Sequence, residues 1–179
     1  MQKDIPVAPL AGIAWLGLWL PMLLAAGVVI GVALMPDQAT PAHGLLLALP
    51  LLIVIGAGLS WAARRRRIVL SNRDLQITAT LYRKQVPVEA IDLDNARVVS
   101  LDEHTELRPM VKTNGFTLPG FSAGHYRMRN LAKAFCLVTD RSRVLVLPLR
   151  DGLTLLLSPE KPRELLDQLL ELAGQRPAR

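Results

Sequence analysis

The stretch GLLLALPLLIVIGAGLSWAARRRRIVLSNRDLQITATLY, residues 44–82, changes character twice. It begins as an apolar run at 44–63 and ends at 75–82, where apolar and polar residues alternate; between the two lie Arg64, Arg65, Arg66 and Arg67. About 20 apolar residues are enough for a helix to cross a bilayer core, whereas alternation at every second residue is typical of a half-buried strand. The stretch therefore predicts a membrane-spanning helix that leads directly into β structure.

A second apolar stretch precedes this one, because no charged residue occurs between Asp4 and Asp37. We place the first span near 14–35 and the second near 44–63, so that 1–67 form a two-helix transmembrane hairpin with a basic flank. A cleaved signal peptide is the less favoured alternative, because its apolar region is only about 7–15 residues long and follows a basic start.

The charges that flank the two spans predict their orientation. The link at 36–43 contains Asp37 and no Lys or Arg, whereas four arginines follow the second span directly. Lys and Arg are enriched in cytoplasmic loops. We therefore expect a multi-pass protein with the link outside, and with the arginines and both termini in the cytoplasm. A stop-transfer flank is favoured over a specific lipid site for these arginines.

Small residues four apart occur in both spans, at Gly27 and Gly31, at Gly56 and Ser60, and at Gly58 and Ala62. Such pairs let helix backbones approach closely. They predict that the two spans pack on each other, with a dimer interface as the alternative.

The remaining residues, 68–179, have a different composition. Before Arg64 the charged residues are Lys3, Asp4 and Asp37, so the other 20 basic and 13 acidic residues all lie in 64–179 and give that part of the chain a net charge of +7. The hydrophobic fraction of 51% excludes a disordered chain. A single cysteine, Cys136, excludes an intramolecular disulfide and a multi-cysteine metal site.

The C-terminal part predicts about six or seven short strands followed by one helix. Its candidate strands are 68–70, 75–82, 86–88, 96–101, 134–138, 144–147 and 153–157, and Asp151-Gly152 predicts a hairpin between the last two. In the final helix Ser158 is the predicted N-cap, and its apolar stripe is formed by Leu165, Leu166, Leu169 and Leu170. The fold class is therefore membrane-anchored α+β, with a bent antiparallel β-sheet or barrel that is capped by a C-terminal helix.

Three segments resemble the bacterial pleckstrin-homology-like (PH-like) domain proteins: KTNGFTLPGFSAGHY at 112–126, VTD at 138–140 and LSPEKP at 157–162. The resemblance covers roughly 65–173. It implies a seven-stranded bent sheet closed by a C-terminal helix and often attached to membrane helices, and it implies no common activity. With it, 68–179 is expected to be a cytoplasmic PH-like domain at the bacterial cytoplasmic (inner) membrane.

No pattern in the chain predicts catalysis or metal binding. The segment 120–124 has the G-x-S-x-G spacing of a nucleophile elbow, but only His125 follows Ser122 among histidines, and no acid lies between them. A glycine-rich turn is the favoured interpretation. No spacing typical of metal ligands occurs. We therefore expect no enzyme activity, no cofactor and no metal.

A basic loop is the main candidate site. Between Glu106 and Asp140 there is no acid, and the net charge of +5 comes from Arg108, Lys112, Arg127, Arg129 and Lys133. The loop could contact anionic lipids of the bilayer at about 1 kcal/mol per basic residue, although a simply solvated loop is favoured. Nucleic acid is not expected as a partner, because no recognised binding module occurs.

The main hypothesis is a non-enzymatic membrane protein whose PH-like module serves protein interaction or assembly, with a protein partner or by self-association. The alternative is a sensor of anionic headgroups.

Overall fold

The computed structural model describes residues 3–34, 42–71 and 73–174, apart from the side chains of 42–46. Three short 3-10 turns lie at Val88–Ala90, Leu93–Asn95 and Thr105–Leu107. The helices and strands, in chain order, are β1 (Lys3–Ile5), α1 (Gly12–Ala33), α2 (Ala42–Arg64), β2 (Arg66–Leu70), β3 (Asp74–Ala79), β4 (Tyr82–Pro87), β5 (Arg97–Val99), β6 (Pro109–Leu118), β7 (Phe121–Met128), β8 (Lys133–Val138), β9 (Val144–Pro148), β10 (Thr154–Leu157) and α3 (Pro162–Gly174).

Helices α1 and α2 correspond to the two predicted spans. Helix α1 and the Leu47–Arg64 part of α2 are long and apolar enough to cross a membrane, by length and composition. Most of their large side chains are exposed, among them Leu16, Leu23 and Val54, whereas the core helix of a soluble protein would bury them. The predicted end of the first span at Met35 lies outside the described residues, as does most of the link.

The small residues of the two spans do not all lie at the contact between α1 and α2. A Cβ added at Gly56 would lie 3.0 Å from Sδ of Met22 and 3.2 Å from the Trp19 ring, so this glycine lies where α2 packs on α1. A Cβ at Gly27, Gly31 or Gly58 would meet none of the described atoms within 4 Å. The prediction that small residues pack the spans together is confirmed at Gly56, whereas the described residues show no such contact at Gly27, Gly31 or Gly58.

The first sheet has four antiparallel strands in the order β1-β2-β3-β4. Its β2–β3 hairpin was predicted. The prediction of one strand at 75–82 is wrong: β3 ends at Ala79, the chain turns at Thr80, which has φ +62°, and β4 begins at Tyr82 and pairs with β3. Strand β1 was not predicted: Lys3, Asp4 and Ile5 pair with Leu70, Val69 and Ile68, although the sequence had assigned them to the transmembrane part. Strand β2 begins at Arg66, before the predicted boundary. The chain therefore contributes residues to this sheet from both sides of the helix pair.

The second sheet has six strands in the order β5-β9-β10-β8-β7-β6. The predicted hairpin at Asp151-Gly152 is confirmed: Gly152 has φ +83° and the Leu153 amide donates to Oδ1 of Asp151 at 2.9 Å. The predicted antiparallel sheet is wrong at one pair, because β10 lies parallel to β8. Strand β9 pairs with β10 along one edge and with β5 along the other, so β10 lies between β8 and β9. In the described residues from Arg66 onward there are nine strands, β2 to β10, rather than the predicted six or seven.

Helix α3 closes the core between the two sheets. Leu165 and Leu169 are fully buried there, and Leu166 and Leu172 pack at its margin. The predicted stripe is wrong at Leu170, whose side chain is 46% exposed. A period of 3.6 residues places it beyond the edge of the buried face.

Ser158 does not cap this helix, as the sequence had predicted. It is completely buried, its hydroxyl donates to the carbonyl of Asp140 at 2.8 Å, and α3 begins only at Pro162. Proline suits the first turn of a helix because its missing N–H would lack a partner there. Ser158 instead joins the end of β10 to the segment that follows β8.

Candidate interaction surface

The predicted basic loop is a β-hairpin formed by β6 and β7. Leu118 pairs with Phe121 across Pro119-Gly120, and Gly120 has φ +75°. A proline followed by a glycine with positive φ is typical of a type II turn. These strands were not predicted, because the glycines suggested a loop. Two register shifts also interrupt the pairing of β6 with β7. The alternation of buried Tyr126, exposed Arg127 and buried Met128 in β7 was the signal that could have found them.

The serine of the G-x-S-x-G segment lies inside β7. Ser122 is mostly buried, and the strand continues to Met128. A nucleophile elbow needs a turn from strand to helix at this point, so this local structure does not fit one. Among the described residues, no group of three or more His, Cys, Asp and Glu side chains could hold a metal ion. Burial raises the pKa of the Cys136 thiol, which disfavours the reactive thiolate.

The turn of the β6–β7 hairpin packs on the start of α1. A Cβ added at Gly17 would lie 2.5 Å from two ring atoms of Pro119, and one added at Gly120 would lie 3.5 Å from Cγ2 of Ile13. The hairpin therefore has one end fixed on the first turns of the helix. We call this the helix-side end.

The four arginines at the end of α2 and the start of β2 do not form one site. Arg64 lies over the ring of Trp15 at 5.5 Å, and Arg65 lies over the ring of Trp61 at 4.6 Å. Such cation–π contacts are favourable within about 6 Å of the ring. These two arginines thus connect the end of α2 to aromatic side chains of both helices.

The next two arginines contact the N-terminal segment. Nη1 of Arg66 donates to the carbonyl of Ala8 at 3.1 Å, while its Nε is buried with no hydrogen-bond partner among the described residues, and burial lowers the pKa of this guanidinium. Nε and Nη2 of Arg67 both lie 2.9 Å from Oδ2 of Asp4. All four arginines of the block therefore have contacts within the chain.

Arg108, the first residue of the predicted basic loop, is also engaged. Its Nε donates to the carbonyl of Leu101 at 2.7 Å, and its Nη2 lies 2.7 Å from Oδ1 of Asp102. Leu101 and Leu107 are buried against the outer face of the second sheet. Arg108 thus holds the segment 101–108 in place on that face.

The other four basic residues lie at the end of the hairpin opposite Pro119. Arg127 is paired in register with Val111 on one side and with Lys133 on the other, so these three side chains share a face. Nη1 of Arg127 donates a long hydrogen bond of 3.4 Å to the carbonyl of Leu131. Lys112 and Arg129 are exposed nearby. Lys112 is paired with Tyr126 and therefore lies on the opposite face of the sheet from Arg127. The structure thus places these four predicted residues at the same end of the hairpin, on both faces of the sheet, and separates them from the arginine block.

An acidic segment lies beside them, which the sequence analysis did not foresee. The amide of Asn130 donates to the carbonyl of Glu106, and the amide of Arg129 donates to that of Arg108. Glu106 is exposed, and so are Asp102 and Glu103. A hydrogen bond from its own backbone, together with His104 at 3.2 Å, lowers the pKa of Glu106. The carboxylates therefore offset part of the predicted positive charge.

Three large apolar side chains are exposed at the same end. Met110 is 70% exposed, Val111 51% and Leu131 69%. Leu131 also has φ +65°, a left-handed conformation that is unfavourable for a bulky residue. We use the name end surface for nine residues at this end of the hairpin: Glu103, Glu106, Met110, Val111, Lys112, Arg127, Arg129, Leu131 and Lys133. It combines both signs of charge with exposed apolar area.

The architecture defines a class: two apolar helices followed by a β-rich domain with a C-terminal helix. The chain belongs to the bacterial PH domain family, whose model matches residues 66–173. This confirms the resemblance drawn from the sequence. The match begins at β2, so β1 and both apolar helices lie outside it. Comparison with curated proteins and with solved structures gave no match.

Proposed function

We propose that this chain is a non-enzymatic integral membrane protein of the bacterial cytoplasmic membrane. In this proposal it crosses the bilayer twice, keeps both termini in the cytoplasm and presents its PH-like domain there for protein interaction or assembly. The exposed leucines of α1 and α2 support the membrane position, because lipid would cover them. The arginines after α2 support the orientation.

The end surface is the observation that supports protein interaction. Exposed apolar residues such as Met110 and Leu131 are unfavourable in water, particularly where the backbone is also strained. Protein interfaces typically have an apolar centre and a polar rim. Here the rim contains both acids and bases, which suits a partner with a matching pattern of charges.

The attachment of the domain to the helices supports presentation in a defined orientation. Only Arg65 separates α2 from β2, and β1, which precedes α1, pairs with that same strand. The hairpin turn at Pro119 adds a third contact with α1. A domain held at three places cannot rotate freely, so a partner would meet the end surface in a constant direction.

Binding of anionic lipid is the second candidate. Its support is the group of four basic residues, each worth about 1 kcal/mol near an anionic membrane. The carboxylates of Glu103 and Glu106 on the same surface would be repelled by those headgroups. This repulsion makes a membrane a poorer match than a protein.

A fluorescent probe at Leu131 distinguishes the two candidates. Leu131→Cys is selectively labelled because the native Cys136 is completely buried. In the full chain reconstituted into nanodiscs, we expect an emission spectrum that does not depend on the fraction of anionic lipid. The matched control is Asp151→Cys, on the exposed β9–β10 turn. A blue shift with anionic lipid at residue 131 alone, reversed by salt, would favour the lipid sensor instead.

A photo-cross-linking residue at the same two positions tests for a protein partner in native membranes. We expect adducts with protein at position 131 and none at position 151. Adducts with lipid alone, or equal adducts at both positions, would contradict the proposed interaction function.

A further inference from the structure

We infer that the partner of the end surface is a second copy of this chain, related to the first by a two-fold axis. This inference rests on the proposed function, because it names the partner of the same surface. The surface is itself bipolar, with acids on the 102–106 segment and bases on β7 and β8. Complementary charge is therefore available from an identical molecule.

The arrangement of the two signs fits a two-fold relation. The hydrogen bond from the Asn130 amide to the Glu106 carbonyl places the acidic segment directly against the 129–132 turn. Arg127 and Lys133 lie at the strand ends that this turn joins. In a two-fold interface, residue i contacts j and j contacts i. With the axis near Leu131, Glu103 and Glu106 of each copy face the basic residues of the other.

The acidic side is held in position before any partner binds. The Arg108–Asp102 ion pair and the contact between His104 and Glu106 fix the 102–106 segment. Preorganised groups lose less entropy on association. Glu103 is exposed and has no ion pair with another described residue, so it is available to a partner.

Leu131 supplies the apolar centre. Its side chain is 69% exposed, and its backbone strain is not offset by packing within the described chain. Against the same residue of a second copy, it would be covered by apolar area while the charges form the rim. Two copies held in one membrane also meet at a high effective concentration, so a small surface is enough for association.

The test uses two charge-reversed forms of the full chain in lipid vesicles. One carries Arg127→Glu and Arg129→Glu, and the other carries Glu103→Lys and Glu106→Lys. Energy transfer between dyes on Asp151→Cys measures association. We expect the unmodified surface to associate, each reversed form alone to associate at least about tenfold more weakly, and an equimolar mixture of the two to recover association. A tenfold change corresponds to about 1.4 kcal/mol.

Controls and contrary outcomes follow from the same geometry. Reversing Arg141 and Arg143, which are exposed on the β8–β9 connection, should leave association unchanged. Leu131→Asp gives a second disruptive variant that does not depend on the charged pairs. A wild-type chain that stays monomeric in vesicles, or a mixture that fails to recover, overturns the inference. If Leu131 nevertheless cross-links to a different protein, the proposed function stands; if it cross-links to no protein, the proposed function also fails.

Discussion

The chain has two basic regions that the sequence offers as candidate contact sites and that differ in structure. In the block at 64–67, each arginine contacts an aromatic ring, a carbonyl or a carboxylate of the N-terminal part. At the end surface, Arg127 has one long hydrogen bond, and Lys112, Arg129 and Lys133 have no side-chain partner among the described residues. Positive charge alone therefore does not indicate whether a residue holds the chain together or remains available to a partner.

The two ends of the β6–β7 hairpin show the same contrast. At the helix-side end the Pro119 ring lies against α1 with no space for an added methyl group at Gly17. At the other end Leu131 is exposed in a strained conformation. Substitutions should consequently destabilise the chain at the first end and not at the second.

The largest effect is expected from Gly17→Leu. The new side chain would overlap the Pro119 ring, which cannot rotate away, so the hairpin or the helix has to move. Overpacking of this kind typically destabilises a protein by about 1–3 kcal/mol. Thermal unfolding of the full chain in detergent measures the change through tryptophan fluorescence.

Gly27→Leu is the matched control for this substitution, because the added side chain would have open space in the same helix. Its melting temperature should stay close to that of the unmodified chain. Equal shifts for the two variants would show that the Pro119 contact does not hold the domain on α1.

A smaller effect is expected when Arg66→Ala is compared with Arg127→Ala. Loss of Arg66 leaves the carbonyl of Ala8 without its charged donor, which should lower stability by about 1–2 kcal/mol. Removal of the buried Nε that lacks a partner offsets part of this loss. Arg127→Ala should stay within about 0.5 kcal/mol, as is usual for exposed surface positions. Denaturant titration of both variants measures the difference, and an equal loss would remove the distinction between the two basic regions.

The sequence predicted those parts of the fold that depend on local pattern. The two spans follow from apolar length, the β2–β3 pair from alternation, and the β9–β10 hairpin from Asp151-Gly152. Strand β1 has three residues and therefore no detectable period. The parallel pairing of β10 with β8 depends on where β9 lies across the sheet, which no local signal determines.

The candidate site was predicted in part for a similar reason. Lys112, Arg127, Arg129 and Lys133 were identified by charge, and the structure places them at one end of β6, β7 and β8 rather than on a loop, with Lys112 on the opposite face of the sheet from Arg127 and Lys133. Arg108 was included with them, but its guanidinium belongs to the acidic segment. The sequence did not place Asp102, Glu103 and Glu106 beside these basic residues. Their position depends on the burial of Leu101 and Leu107, two residues within an otherwise polar stretch.

The smallest effect is expected from Leu131→Asn. Whether this substitution raises or lowers the free energy of unfolding tests the contrast between the two ends of the hairpin. Asparagine tolerates the left-handed backbone conformation that leucine adopts at φ +65°, so the substitution should stabilise the isolated chain by about 0.5–1 kcal/mol. Leu170→Asn is the matched control, since this leucine is also exposed but helical, and asparagine should lower stability there by a few tenths of a kcal/mol. Unfolding is measured in dilute detergent, where association between copies does not contribute. If stability rises with the substitution at 131 and falls with the one at 170, then Leu131 lowers the stability of its own chain, as expected for a residue that acts in binding. A loss at 131 would instead show that this leucine packs on its own domain, and the end surface would then lose its apolar centre.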